Sequence, residues 1–121
     1  MTGKLVRILV GTASMTFGIG ALPAAAQDCD KACLEAIAEQ YRAAYFAHDP
    51  AAAPIASTVR FTENNVEMRL PDASWDTNTE EVGTPLFLSD PATGNAAIFT
   101  AVMQSEIPGF LAIRLKVEGR H

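Results

Sequence analysis

Residues that commonly bind metals or transfer protons are scarce in this chain. Its 121 residues include only two histidines and two cysteines. His48 ends a predicted helix and His121 is the final residue, so no histidine lies on a predicted strand. Structural zinc sites take four ligands, mostly Cys and His, and catalytic zinc sites take three. The sequence therefore argues against a metal site, and we expect no cofactor.

Basic residues are also few, and they do not cluster. Nine lysines and arginines stand against fourteen acidic residues, for a net charge of −5, and no run of Lys or Arg occurs. Nucleic acids and anionic membrane surfaces attract clustered positive charge. The composition therefore argues against both as partners.

No hydrophobic run has the length of a membrane-spanning helix. Residues 8–22 form an apolar run of about 15 residues, against the ~20 that a spanning helix needs. The run follows Lys4 and Arg7, and the sequence ALPAAAQ then places Ala24 and Ala26 at the −3 and −1 positions of a cleavage site. We therefore predict a secretory signal peptide at residues 1–26 rather than a membrane anchor. The protein is then exported, to the periplasm or outside the cell.

Removal of 26 residues from 121 leaves 95, enough for one small domain at residues 27–121. All fourteen acidic residues remain but only seven of the nine basic ones, so the net charge of this domain is −7. We find no internal repeat or low-complexity segment in it.

The two cysteines, Cys29 and Cys33, lie just after the predicted cleavage point in DCDKAC. Nearby thiols usually form a disulfide in an oxidising compartment. A spacing of four residues places the Cα atoms about one helical turn apart, which a disulfide tolerates. Redox exchange normally uses C-x-x-C, and a metal site needs further ligands. We therefore predict a disulfide that clamps the start of the following helix.

A long helix is predicted from Asp30 to His48. Its apolar positions recur at steps of three and four and so share one helix face: Leu34, Ile37, Ala38, Tyr41, Tyr45 and His48. The opposite face is predicted to be exposed and carries Glu35, Glu39 and Arg42.

Two short elements are predicted next. Asp49 is a suitable N-cap and Pro50 a suitable first residue for a short helix that Pro54 ends. In VRFTENNVEMRL, residues 59–70, two alternating apolar runs flank Asn64 and Asn65. Asparagine adopts positive φ more readily than most residues, so this pair predicts the turn of a β-hairpin.

The remainder of the chain is predicted to form a loop followed by strands. The loop carries Trp75 and lies over the sheet, as irregular chain or as a one-turn helix. Strands are predicted at 84–90, 96–104 and 110–117, with the turns DPATGN and SEIPG between them. The middle strand, AAIFTAVMQ, is apolar on both faces and is therefore central. Helices followed by antiparallel strands predict an α+β fold with segregated layers.

The last strand alternates strictly. One face carries Leu111, Ile113, Leu115 and Val117. The other carries Phe110, Ala112, Arg114 and Lys116. Arg114 is expected to pair across a dimer interface or, alternatively, to meet an anionic ligand.

Four segments of the chain, by their order and spacing, resemble the nuclear transport factor 2-like superfamily: AHDP, VRFTENNVEM, LFLSDPATGNAAIFTAV and LAIRLKVEGR. They are more similar to an uncharacterised SnoaL-like branch of exported proteins. The resemblance covers residues 29–121. It implies a cystatin-like roll, in which a cone-like, curved antiparallel sheet packs on a long N-terminal helix, with a pocket at the wide end and frequent homodimerisation through the outer sheet face. It fixes no single activity, since the superfamily contains isomerases, dehydratases, cyclases, hydrolases and noncatalytic binders.

The resemblance also implies that the last strand of the fold is missing. Gly119, in LAIRLKVEGRH, is similar to the centre of a hairpin turn, after which related proteins form another strand. We therefore expect a member that is truncated at its C-terminus, with an open sheet edge along residues 110–118.

Five side chains are predicted to approach one apolar pocket between helix and sheet. Tyr41 and Tyr45 share the buried helix face, Phe99 and Met103 share one strand face, and Trp75 covers them. Core packing is the alternative role for the aromatic residues.

Enzymes on this fold use a pocket carboxylate or histidine as base, and a tyrosine or protonated acid as hydrogen-bond donor. Glu63 ends the first hairpin strand near the expected pocket rim, so it is the candidate catalytic base; an exposed structural position is its alternative role. Glu67 is expected to face solvent, and His48 to cap the helix.

Two functional hypotheses remain from the sequence. One is a noncatalytic exported domain that binds a small apolar ligand or associates with itself as a homodimer. The other is a cofactor-free isomerase or lyase for a small apolar carbonyl compound, with Glu63 as base and Tyr41 or Tyr45 as donor. The absence of His and Asp from the predicted strands favours the first.

Overall fold

A computed structural model of the chain describes residues 29–119, so the predicted signal peptide lies outside the described residues. The elements follow the order α1 (Lys31–Phe46), a 3-10 helix (Pro50–Ala52), β1 (Phe61–Glu63), β2 (Val66–Met68), α2 (Ser74–Thr77), β3 (Asn78–Asp90), β4 (Asn95–Gln104) and β5 (Ile107–Lys116). The helix α1 packs against a three-stranded antiparallel sheet of order β3-β4-β5, and β1 and β2 form a separate hairpin. The predicted α+β class is confirmed.

Helix α1 begins and ends with local hydrogen bonds. The side chain of Asp30 is the N-cap and accepts from the backbone N–H of Cys33 at 2.9 Å. Cys29 and Cys33 form the predicted disulfide beside this cap. At the other end His48 adopts a φ of 53°, and the N–H of Asp49 donates to the Ala44 carbonyl, which closes the helix.

The hairpin turn is the one predicted from the asparagine pair. Asn64 and Asn65 have φ values of 50° and 64°, as a two-residue turn between twisted strands requires. Glu63 pairs with Val66 directly across this turn. Glu67 is exposed, as expected, and forms an ion pair with Arg60 at 2.9 Å.

Strand β4 is central, as predicted from its two apolar faces. Ala96, Ile98, Thr100 and Val102 are buried, and they alternate with less buried residues on the opposite face. The even-numbered residues of β4 therefore face α1.

Two strand boundaries differ from those predicted. Strand β3 begins at Asn78 rather than at residue 84, and it passes through register shifts between Asn78 and Glu80 and between Val82 and Leu86. These irregularities break the alternation by which a strand is recognised in sequence. Strand β5 begins at Ile107, because only Ser105 and Glu106 form the turn.

The core lies between α1 and the inner face of the sheet. Its buried members are Leu34, Ala38, Tyr41, Ala44, Tyr45, Trp75, Ala96 and Ile98. Leu111, Ile113 and Leu115 of β5 pack against this cluster from the sheet edge and are only partly buried. Within residues 29–119, no helix has the length and apolar character needed to cross a membrane.

Candidate functional site

Three of the predicted pocket residues form one aromatic cluster. Trp75 packs edge-on against Tyr41 and Tyr45, with ring centroids 5.4 and 5.1 Å apart. The two tyrosine rings are 6.4 Å apart, as expected for residues one helical turn apart. All three side chains are buried. The rings therefore pack on one another at the end of α1.

The polar atoms of this cluster are hydrogen-bonded. The indole N–H of Trp75 donates to the Tyr41 hydroxyl at 3.1 Å, and the side-chain amide of Asn78 donates to the Tyr45 hydroxyl. His48 donates from Nδ1 to the backbone carbonyl of Trp75. The imidazole thus holds the short helix α2 against the end of α1, instead of capping α1 with its ring. Each of these bonds satisfies a polar group that burial would otherwise leave without water.

Glu63, the candidate base, lies at the edge of this cluster. It is half-buried, and its Oε2 accepts from the backbone N–H and the hydroxyl of Ser74, at 3.1 and 2.5 Å. Ser74 is the first residue of α2, where an unpaired N–H favours a negative partner. Glu63 therefore caps α2 across a long sequence separation, and it does not point to bulk water.

Glu63 and both tyrosines share one electrostatic neighbourhood. Burial raises the pKa of Tyr41 and of Tyr45, and the negative charge of Glu63 raises the pKa of each further. Both hydroxyls are therefore protonated at neutral pH and can donate a proton in a hydrogen bond. The Glu63 carboxylate and the two tyrosine hydroxyls therefore lie in one neighbourhood, in which Glu63 accepts from Ser74 and the hydroxyls accept from Trp75 and Asn78.

The structure does not bring Phe99 and Met103 to this cluster. They are odd-numbered residues of β4, and their side chains lie on the face of the sheet opposite to Ile98. The Phe99 side chain is 45% exposed. The expected five-residue pocket is therefore not formed by these side chains. Both faces of AAIFTAVMQ are apolar, so its sequence does not indicate which of them faces α1.

A partly buried ionic network, which the sequence analysis did not predict, joins α1 to the sheet. Arg42 donates to Glu81 of β3, and the second carboxylate oxygen of Glu81 accepts from the buried Thr100 hydroxyl at 2.7 Å. Arg42 also contacts Glu39 at 2.7 Å and, by this hydrogen bond, lowers the pKa of Glu39. Arg42 was expected on the exposed helix face, and Glu81 in a loop. Arg42 and Glu81 are 39 residues apart, and no signal in the sequence indicates that they pair.

The outer face of the sheet exposes large apolar side chains. The apolar part of this outer sheet face consists of Val82, Leu86, Leu88, Ala97, Phe99, Ala101, Met103, Pro108, Phe110 and Ala112, and the face also carries Glu80 and Arg114. In one cross-strand row Leu86 lies opposite Phe99, which lies opposite Ala112. Phe110 is 96% exposed, and Leu86 is 56% exposed. The neighbouring row at one end carries Asp90 and Lys116, which places opposite charges at two corners of the face.

Comparison with models of known protein families, with curated proteins and with solved structures gives no match. Among residues 29–119, no group of three or more His, Cys, Asp or Glu side chains is arranged to hold a metal ion.

Proposed function

We propose that this chain is an exported, noncatalytic association domain that forms a homodimer through its outer sheet face. The observation that carries the proposal is the contiguous apolar surface across β3, β4 and β5. A folded monomer rarely leaves so many large apolar side chains of one face in contact with water. Burying one such side chain contributes about 1.5–3 kcal/mol, so covering several of them gives a strong driving force for association.

Self-association is favoured over ligand binding by the packing of the aromatic residues. Tyr41, Tyr45 and Trp75 fill the space beside α1 with their own rings. Phe99, in contrast, lies near the centre of the outer sheet face, where a partner surface would cover it.

A second copy fits this face by symmetry and by charge. A two-fold axis parallel to β4 lays β5 of each copy over β3 of the other, with the strands nearly aligned, as in packed sheets. The Lys116 corner of one copy then lies over the Asp90 corner of the other, and the central apolar row of Leu86, Phe99 and Ala112 meets the same row of the second copy. The resemblance of the sequence to the nuclear transport factor 2-like superfamily also implies homodimerisation through the outer sheet face.

The substitution Phe99→Lys tests this proposal. It places two positive charges near the centre of the interface, and the position is exposed in the monomer, so the fold is retained. We expect the mass measured by sedimentation at about 50 μM to be lower for the variant than for wild-type protein, because the face-to-face contact loses affinity by roughly a hundredfold or more. Val66→Lys is the matched control, because Val66 is also exposed but lies on the hairpin. A monomeric wild-type protein would refute the proposal.

A second candidate function is supported by the position of Glu63. Glu63 and the hydroxyls of Tyr41 and Tyr45 could serve a cofactor-free isomerase or lyase, with the carboxylate as base and a hydroxyl as donor to a small apolar carbonyl compound. Exchange of the α-protons of a small cyclic ketone in D2O, followed by NMR, is the test. Faster exchange with wild-type protein than with Glu63→Gln would support this function, and equal rates would contradict it.

A further inference from the structure

Strand β5 has a free edge that differs from the other edge of the sheet. In the described part of the chain β5 pairs only with β4, and this pairing runs without a register shift from Ile107 to Lys116. At the opposite edge β3 contains two register shifts, and Gly83 and Pro85 interrupt it. Bulges and proline are features that protect an edge strand from pairing with another chain. The edge of β3 carries them, and the edge of β5 carries only Pro108, near its start.

The inward-facing side chains of β5 carry no charge, and Arg114 and Lys116 lie on its outer face. Leu111, Ile113 and Leu115 face inward, and all three are only partly buried. An inward charge on this row would oppose a further strand, but none is present. A strand added at this edge would cover these three side chains and would pair the backbone groups that β4 leaves free.

We propose that β5 pairs antiparallel with β5 of a second copy, in a register centred on Ala112, so that the three strands of each copy form one continuous sheet. This register places Phe110 directly opposite Arg114 of the second copy, and the reverse contact is equivalent by symmetry. The guanidinium group then covers the face of a phenyl ring that is 96% exposed in the monomer.

Neighbouring registers are less favourable. Centring on Arg114 places two guanidinium groups opposite each other, and like charges at that position destabilise a strand pair. Centring on Ile113 shortens the paired segment, and centring on Leu111 leaves Phe110 opposite a small residue, Ala112. Only the register centred on Ala112 combines a long paired segment with the Phe110–Arg114 contact.

This contact differs from the homodimer proposed above. It is centred on the edge and backbone of β5, whereas that dimer is centred on Phe99 of the outer sheet face; Phe110 and Arg114 take part in both. The two contacts can therefore be tested one at a time, with the face interface disabled by Phe99→Lys.

Oxidative cross-linking tests the edge contact. In the full chain carrying Phe99→Lys, Ala112→Cys places two thiols opposite each other at the two-fold axis. Mild oxidation should give a covalent dimer on non-reducing gels, roughly tenfold or more faster than Ala92→Cys in the same background, because pairing raises the local thiol concentration. Ala92 is the matched control, since it is an exposed alanine in the turn between β3 and β4.

Hydrogen exchange provides a second measurement. In the chain carrying Phe99→Lys, amides in residues 110–114 should exchange more slowly as protein concentration rises, and adding Arg114→Ala should weaken this protection about threefold or more. Equal cross-linking of Ala112→Cys and Ala92→Cys, with circular dichroism showing both folded, overturns the edge contact. Cross-linking of Phe99→Cys in an otherwise wild-type chain would still support the face dimer in that case.

Discussion

At the scale of single residues, the position of Glu63 is best explained by its contacts with Ser74. Replacing Glu63 with Ala removes the acceptor for the Ser74 N–H and for its buried hydroxyl. We expect this change to lower the free energy of unfolding by about 1–3 kcal/mol, measured by urea denaturation. The matched control is Glu67→Ala on the same hairpin, where loss of an exposed ion pair should cost about 0–1 kcal/mol.

Equal effects of the two glutamate substitutions would contradict the assignment of Glu63 as the cap of α2. Retained stability in Glu63→Gln would show that one hydrogen-bond acceptor at this position is sufficient. The exchange test with the cyclic ketone is independent of this result, because it measures proton transfer rather than stability.

The two buried tyrosines predict sensitivity to alkaline pH. The folded-state pKa of Tyr41 and of Tyr45 is raised above the ordinary value of 10.0, chiefly by burial. Their contribution to stability is therefore fully present below pH 10 and is lost as the pH rises through the folded-state pKa. Each tyrosine should lower the free energy of unfolding by at most about 1.4 kcal/mol per pH unit in that range.

This loss can be measured by denaturation between about pH 9 and 12, where the unfolded-state tyrosines ionise. Tyr45→Phe should be less stable at pH 7, because the Asn78 amide loses its buried acceptor, but it should show a shallower decline above pH 10. A decline as steep as that of the wild-type protein would mean that Tyr45 ionises as readily when folded as when unfolded.

At the scale of elements, the contact of α1 with β3 depends on the Arg42–Glu81 pair. The two side chains are 21% and 14% exposed, so neither charge is well solvated. Arg42→Ala leaves the Glu81 carboxylate without its cation, and we expect a loss of about 2–4 kcal/mol in chemical denaturation. Arg60→Ala is the control, because it breaks a well-exposed pair and should cost about 0–1 kcal/mol.

A similar small loss for Arg42→Ala and Arg60→Ala would show that water replaces the arginine beside Glu81. The double variant Arg42→Met with Glu81→Leu separates the two possible explanations for a large loss. If the cost arises from an unpaired charge, this apolar pair should recover most of the stability.

At the scale of the whole molecule, folding and association are expected to be coupled. If the outer sheet face binds a second copy only in the folded state, the melting temperature should rise with protein concentration. We expect this rise for wild-type protein and for Val66→Lys, and a clearly smaller one for Phe99→Lys. Scanning calorimetry over about a hundredfold range of concentration measures it, and a concentration-independent melting temperature for wild-type protein would contradict the coupling.

Much of the secondary structure follows from local sequence. The steps of three and four in α1, the asparagine pair of the hairpin and the strict alternation of β5 each act over a few neighbouring residues. The Cys29–Cys33 disulfide is equally local, since its partners are one helical turn apart. Such features depend on backbone geometry that the sequence specifies directly, which is why the α+β order of elements could be predicted.

Tertiary structure decided which residues contact one another across long sequence separations, and which strand face is exposed. Ser74 reaches Glu63 and Arg42 reaches Glu81 only after α2 and β3 pack beside the hairpin and the helix. Both faces of β4 are apolar, and the face that carries Ile98 packs on α1. Phe99 therefore lies on the exposed outer face of the sheet. Periodicity assigns residues to a face, but the choice between two similar faces depends on the packing of every neighbouring element, and the sequence of one strand does not contain that information.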